Sequence, residues 1–495
     1  MFLIVCLITT YLIWKTYLII NTMLNRKSLS AIPQPPIDNF YFGHEPSITK
    51  AKEENRFLDL FVEWVNTYGT TVLFWIGARP FVFTADPEML KQCATDLKSF
   101  SKVNNLPNRH LFGQKIIGTD SILSGGGLKW AVKRKVMSRF FAKTNMKEMF
   151  EAAKPHMEGP ELGRWREQVG RGEVLDLHEE LSITFSSYLQ VLGLSDFLPA
   201  KTIARNVFLL LEAIPKQLFQ RWSYLLSSDK TKMFALIKKM RSDTKQTVVE
   251  RIEEMKNNPD DTIPSLDMLG HLIEANQSND GQTSNSEAKV VEGVVDDVMT
   301  VCLVLDNMVK QICALFMFLE NEQEVQGKMM EELRNTDIED FNDLNNLKYT
   351  EKCILESLRM GPALLRGTRT YKTATNKRFG PYVVNTRNVR VHFSEYVMQM
   401  NPDYWPEPKK FNPERWQPGF NPEPFSYMPF FVGSRGCLGK HMAMMMMKLT
   451  LSVLAKNFEL QQSFNKKEPP TINQNMAVMR IINRVDCLIT PLAVS

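Results

Sequence analysis

The sequence predicts a mainly α protein with a minor β-sheet, carried behind a single-pass N-terminal anchor. Three observations lead there. Residues 1–24 are almost wholly apolar. From about residue 120 to 335 apolar residues recur at helical spacing. Short β-type runs cluster only near 71–85, near 368–393 and beyond 470.

The first stretch, MFLIVCLITTYLIWKTYLIINTML, is interrupted by Lys15 and a few Thr and Asn. A bilayer core takes roughly 20 apolar residues in a helix, and a lysine there can snorkel toward the headgroups. Arg26 and Lys27 follow directly, which favours a cytosolic side for everything beyond them. No basic region precedes the apolar run and no small-x-small site follows it, so the segment reads as a retained anchor rather than a cleaved leader. Residues 25–45 form a basic, proline-rich spacer containing Pro33-Gln34-Pro35-Pro36, stiff enough to hold a globular body off a surface. Residues 46–495 read as one domain, with no internal repeat and no linker.

Within that domain FLDLFVEWVNTYG is an amphipathic helix ended by Gly69. TVLFWIG and PFVFTA are strands about a turn near Gly77–Arg79. Asp86-Pro87 opens another helix. The polar run from Asn276 to Ser286 is expected to be a mobile surface loop. A long apolar helix, HMAMMMMKLTLSVLAKNFEL, follows Gly439. A small sheet is expected to draw strands from both ends of the chain.

Composition narrows the function. The 495 residues are 44% hydrophobic with a formal charge of +5, which excludes a dedicated nucleic-acid binder, and no basic run suited to a phosphate backbone occurs. The seven cysteines, Cys6, Cys93, Cys302, Cys313, Cys353, Cys437 and Cys487, are odd in number, widely spaced and without a CxxC pair. A disulfide framework or structural zinc is therefore not expected, and a reducing compartment fits.

One cysteine stands in a distinctive setting: Phe430-Phe431-Val432-Gly433-Ser434-Arg435-Gly436-Cys437-Leu438-Gly439. Glycines allow the backbone to bend and to bring N–H groups toward a sulfur anion. Arg435 favours thiolate over thiol, and the helix that follows adds its positive end.

The pattern F-x-x-G-x-R-x-C-x-G resembles the haem-binding loop of the cytochrome P-450 family, with Ser434 where a proline is common. The resemblance implies that Cys437 is the axial metal ligand of haem b (iron protoporphyrin IX), with Phe430, Arg435 and Gly439 forming the loop around it. Further family features follow in the expected order. Glu356-Ser357-Leu358-Arg359 resembles E-x-x-R and Pro413-Glu414-Arg415-Trp416 resembles P-E-R-F/W, implying a structural role for Glu356, Arg359 and Arg415. Arg369, ten residues past Arg359, and Trp130 with Arg134 in a W-x-x-x-R helix are implied to hold the haem propionates. The WPEP stretch from Trp405 to Pro408 and the PQPP spacer are also similar. The implied fold is the family's mostly α architecture.

The sequence departs from the family where (A/G)-G-x-(D/E)-T is usual, in the long helix crossing the haem face. Counting back from Glu324-Val325-Gln326, the slot is Leu303-Val304-Leu305-Asp306-Asn307; counting forward from Asp296 and Thr300, it begins at Val304 and ends at Met308. The one-residue disagreement allows a local bulge. On the first count Asp306 and Asn307 are the catalytic candidates, with an amide where the family has a hydroxyl. An amide can hold a water but cannot relay a proton as a hydroxyl does. Val304, in place of glycine, should narrow the oxygen groove. Met446 stands where an acid is common.

Three readings stay open. The first is a monooxygenase inserting one oxygen atom from O2 into a lipophilic substrate (sterol, fatty acid or xenobiotic). The second is a reductase-independent isomerase of lipid peroxides, and the third a haem-binding sensor or carrier without turnover. With an anchor and no fused flavin domain, the first implies electrons from NADPH through NADPH–cytochrome P-450 reductase and a place in the endoplasmic reticulum membrane. Lys133, Lys135, Arg139, Lys440 and Lys448 are the cations expected to meet that partner. Residues 104–125, 204–215, 303–308, 364–368 and 475–480 are expected to line the substrate pocket. Arg366 among them is expected to point at solvent, with a carboxylate or sulfate partner as the other reading.

Overall fold

A computed structural model describes residues 29–495 apart from 97, 103–112, 171–174, 195–200, 204, 208, 210–227, 278–285, 374, 386–388, 476–477, 484 and 493–495, with isolated positions before 29. All but isolated positions of the expected anchor at 1–24, and much of the expected pocket at 104–125 and 204–215, lie outside the described residues.

The first helix used below, α1 (Phe57–Tyr68), buries Phe57, Leu58, Phe61, Trp64 and Val65 and stops at Gly69. Its apolar stripe at three- and four-residue spacing is what packs it on the sheet. Strands β1 (Thr71–Ile76) and β2 (Arg79–Thr84) pair antiparallel with Ile76 opposite Arg79. Two residues therefore make the turn, and Gly77 supplies its positive φ of 59°. Helix α2 (Pro87–Thr95) is capped by Asp86, which accepts from the Met89 N–H at 3.0 Å.

Strands β3 (Phe100–Lys102), β5 (Gly367–Tyr371) and β8 (Arg390–Phe393) complete a five-stranded sheet in the order β1-β2-β8-β5-β3. β2 and β8 run parallel, so the helical body lies between them in sequence. The C-terminal strands do not join this sheet. β12 (Asp486–Pro491) pairs with β4 (Leu175–Asp176) and β9 (Phe458–Gln462), and β10 (Thr471–Ile472) with β11 (Ile481–Ile482). The expected sheet thus joins strands from 71–102 with strands from 367–393, and the tail beyond 470 stays out of it.

Helices α3 (Gly127–Phe140), α4 (Leu177–Val191), α5 (Met268–Gln277), α6 (Glu287–Leu319), α7 (Lys348–Met360), α8 (Glu395–Gln399) and α9 (Lys440–Asn457) position the site. α6, 33 residues long, is apolar enough to cross a membrane but largely buried, and is the core helix. Its residues pack mostly into the helical cluster, while Ala314 joins the aromatic cluster behind the sheet. It is the seam between the two. α6 runs as unbroken α-helix through 303–308, so the bulge allowed by the two counts is absent.

Two boundaries differ from expectation. Asn276 is helical and buried, not part of a surface loop, because its amide donates to Asp297 at 2.9 Å; the rest of that run, 278–285, lies outside the described residues. The helix after Gly439 ends at Asn457, where Phe458-Glu459-Leu460 turns into β9, its alternate residues Phe458 and Leu460 being the buried ones.

Candidate functional site: a cysteine loop ringed by arginines

The loop before α9 is tightly specified. Cys437 N–H donates to the Phe430 carbonyl at 2.7 Å and Gly436 N–H to the Gly433 carbonyl at 3.0 Å. Gly433 has φ +69°, and a β-carbon there would come within 3.1 Å of the Ala94 carbonyl, so a side chain would be both strained and crowded. Among the described cysteines Cys437 alone is exposed. Burial leaves its thiol raised above the ordinary value, although the Gly439 N–H and then Arg134 pull it down. Gly439, at the N-cap of α9, thus contributes its backbone donor.

Three arginines converge around this loop. Arg435 lies 3.3 Å over the Trp130 ring and donates Nη2 to the Gly125 carbonyl at 2.8 Å; its Nη1 is buried with no hydrogen-bond partner. Burial, then Arg369, then Arg134 lower its pKa to about 10. Arg134 donates to the Gly436 carbonyl, tying α3 to the loop. Arg369, buried on β5, lies 5.3 Å from the Phe393 ring centre and 5.2 Å from that of Phe431, and donates Nε to the Cys93 carbonyl at 3.2 Å. Carbonyls and rings hold these cations, and among the described residues no carboxylate forms an ion pair with any of the three. Buried cations repelling one another call for an anion. An exposed thiol beside them and an orphaned buried donor suit a dianionic, metal-bearing haem.

Trp130 donates its indole N–H to the Ile122 carbonyl at 2.9 Å and carries Arg435 on its ring.

Glu356 and Arg359 of α7 are both fully buried. Arg359 donates Nε and Nη2 to the two Glu356 oxygens at 3.0 and 2.9 Å. Arg415 Nε at 2.9 Å, Trp416 Nε1 at 3.0 Å and the Asn412 N–H at 3.0 Å complete the ring of donors. The structure brings the three sequence-selected residues together, and Trp416 and Asn412 join them.

On α6 the picture is different. Val304 is 39% exposed amid buried Cys302, Leu305 and Met308, and half-buried Val301 and Asn307 share its face. Asp306 does not share it. Its carboxylate pairs with Lys310 one turn on and lies 3.2 Å from His178 Nε2 of α4. Although burial alone would raise it, Lys310 and then His178 hold its pKa down to about 2. Lys310 was readable as an i, i+4 partner; nothing in the sequence pointed to His178.

Two of the cations expected on a docking face are interior. Lys133 is buried against Asp297 at 2.8 Å, and Lys448 is buried against Glu351 at 2.7 Å and the Leu344 carbonyl at 2.9 Å. Lys135, Arg139 and Lys440 remain exposed.

A family model described as Cytochrome P450 matches residues 33–487. Curated relatives include "Cytochrome P450 4c21" of Blattella germanica, 23% identical over 90% of this chain and 90% of its own length. "11-oxo-beta-amyrin 30-oxidase" of Medicago truncatula is 24% identical over 82% of this chain and 78% of its own. "Cytochrome P450 734A6" of Oryza sativa subsp. japonica is 24% identical over 84% and 79%.

Proposed function

This chain belongs to the cytochrome P450 family, and from that premise we propose that it is a membrane-bound monooxygenase acting on a lipophilic substrate, with Cys437 as the thiolate ligand of a haem. The observation that carries this is the convergence of an exposed Cys437 with Arg134, Arg369 and Arg435, which form no ion pair with an acid among the described residues. When bound, the haem supplies electron transfer to dioxygen and cleavage of its O–O bond, favoured by thiolate donation.

The chain's own residues do the rest. Gly439 N–H and Arg134 stabilise the Cys437 sulfur as an anion. Arg369, Arg435 and Arg134 would hold the propionates, and Arg435 has its Nη1 unused for the purpose. Val304 and its apolar neighbours exclude water from the oxygen side. Asn307 positions a water by its amide. Asp306 stays a carboxylate held by Lys310 and His178 behind the Val304 face, so it acts on the site through its charge rather than by carrying a proton. Lys135, Arg139 and Lys440 meet the acidic face of NADPH–cytochrome P-450 reductase, which passes the electrons of NADPH. Residues 1–24 anchor the domain, 46–495, to the endoplasmic reticulum membrane through the spacer at 25–45.

The test is turnover of a lipid extract by the purified protein with reductase, NADPH and oxygen-18 gas. Label in a product is the expected result. One observation favours a second reading: no hydroxyl stands at Asn307. Conversion of added lipid hydroperoxides without reductase, and without label from the gas, would identify a peroxide isomerase instead.

A further inference from the structure

Arg366 does not point at solvent. Its guanidinium carbon lies 4.7 Å from the centre of the Phe57 ring on α1, and Nη2 donates to the Asn475 carbonyl at 3.1 Å. Its Nε is buried with no hydrogen-bond partner, and so is the side-chain oxygen of Asn475. Burial alone lowers its pKa to about 10; no carboxylate among the described residues acts on it. Its neighbours are basic. Burial and then Arg366 and Arg390 hold His392 neutral, at about 3, and Lys52 is lowered by burial and then by Arg366. The acid closest in sequence to Phe57, Asp59, is turned to Gln474 Nε2 at 2.8 Å and the Tyr396 hydroxyl at 3.5 Å.

This cation is distinct from those assigned to the propionates, since Arg435 is repelled by Arg369 and Arg134 and not by Arg366. It stands beside an accessible apolar edge. Leu364 bridges Val478, Met479 N–H donates to the Ala363 carbonyl at 2.8 Å, and Val478 is 36% exposed. A desolvated guanidinium with an unused donor gains most from an anion that brings its own negative charge and acceptors.

We propose that Arg366 anchors the anionic head group, a carboxylate or sulfate, of an amphipathic substrate whose apolar body lies along Leu364 and Val478. This rests on the reading of the chain as a haem enzyme with a lipophilic substrate, and narrows that substrate's class. Asn475 fixes the guanidinium through its carbonyl and leaves Nε for the ligand. Phe57 covers one face of the guanidinium and limits competition from water.

The experiment uses the haem-loaded full chain and reads binding by the change in its absorption spectrum and by calorimetry. The probes are decanoate, decyl sulfate and methyl decanoate. At least one of the two anions should bind tenfold or more tightly than the ester. Arg366→Met should abolish that preference without weakening the ester, and Arg366→Lys should keep most of it. Equal affinity of the anions and the ester for the unaltered protein would overturn the proposal, as would a preference that survives Arg366→Met. A preference for decanoate alone or for decyl sulfate alone supports it and identifies the head group. Binding is read without reductase or oxygen, so failure to incorporate oxygen-18 would count against the monooxygenase reading and leave this one standing.

Discussion

The region around α7 and the region around α6 each bury a carboxylate, and treat it differently. Glu356 accepts five hydrogen bonds from Arg359, Arg415, Trp416 and Asn412. Among the described residues Asp306 pairs with Lys310 and His178 alone. A third buried acid, Glu395 on α8, has neither oxygen partnered, and burial raises it to about 8. The series teaches that burial alone does not say what a carboxylate is for. The fully satisfied one fixes geometry. The sparsely paired one keeps its charge because Lys310 and His178 answer it. The unpaired one is carried at a cost.

Removal of the sulfur has the largest expected effect. Cys437→Ala should abolish the thiolate signature of the reduced carbon-monoxide spectrum, and retention of that signature would refute the ligand assignment. Next, Glu356→Ala strands two buried arginines, for a loss of about 5 kcal/mol or outright failure to fold, read by denaturant unfolding. Asp306→Asn strands only Lys310 and should cost about 3 kcal/mol. If charge pairing is the cause, Asp306→Asn with Lys310→Met should recover most of that, and no recovery would break the contrast between the two acids.

Glu395 gives the smallest effect, with the opposite sign. Its pKa is higher folded than unfolded, so the stability tied to its bound proton is full below about 4.5 and lost as pH rises toward 8. Arg369 is the charged side chain acting against that rise, and Glu395's own N–H also opposes it. Glu395→Gln should match the unaltered protein near pH 5 and exceed its stability by about 1–3 kcal/mol near pH 9 in thermal unfolding. A variant less stable at the higher pH would show that Glu395 has a partner when ionised.

Much of the site was legible in sequence because its chemistry is local. A glycine-rich bend with Cys437 and Arg435 within ten residues needs only backbone geometry to work. Glu356 and Arg359 lie one turn apart on one helix. Trp130 and Arg134 repeat that spacing, though the part each plays was decided elsewhere: Ile122 takes the indole N–H, and Arg435 arrives from a distant loop to stack on the ring.

The sequence by itself determined the mainly helical body, the β1–β2 hairpin through Gly77, the Asp86 cap, and the glycine-rich bend that carries Cys437. Those follow from propensity, periodicity and turn chemistry over a few residues. Only the tertiary structure decided which charges face inward. Lys133 and Lys448 read as surface cations until Asp297 and Glu351 met them across helices. Arg366 read as solvent-facing until Phe57, far away in the chain, covered it. Burial is a property of what packs from elsewhere, and a charge keeps its meaning only once its partners, or their absence, are known.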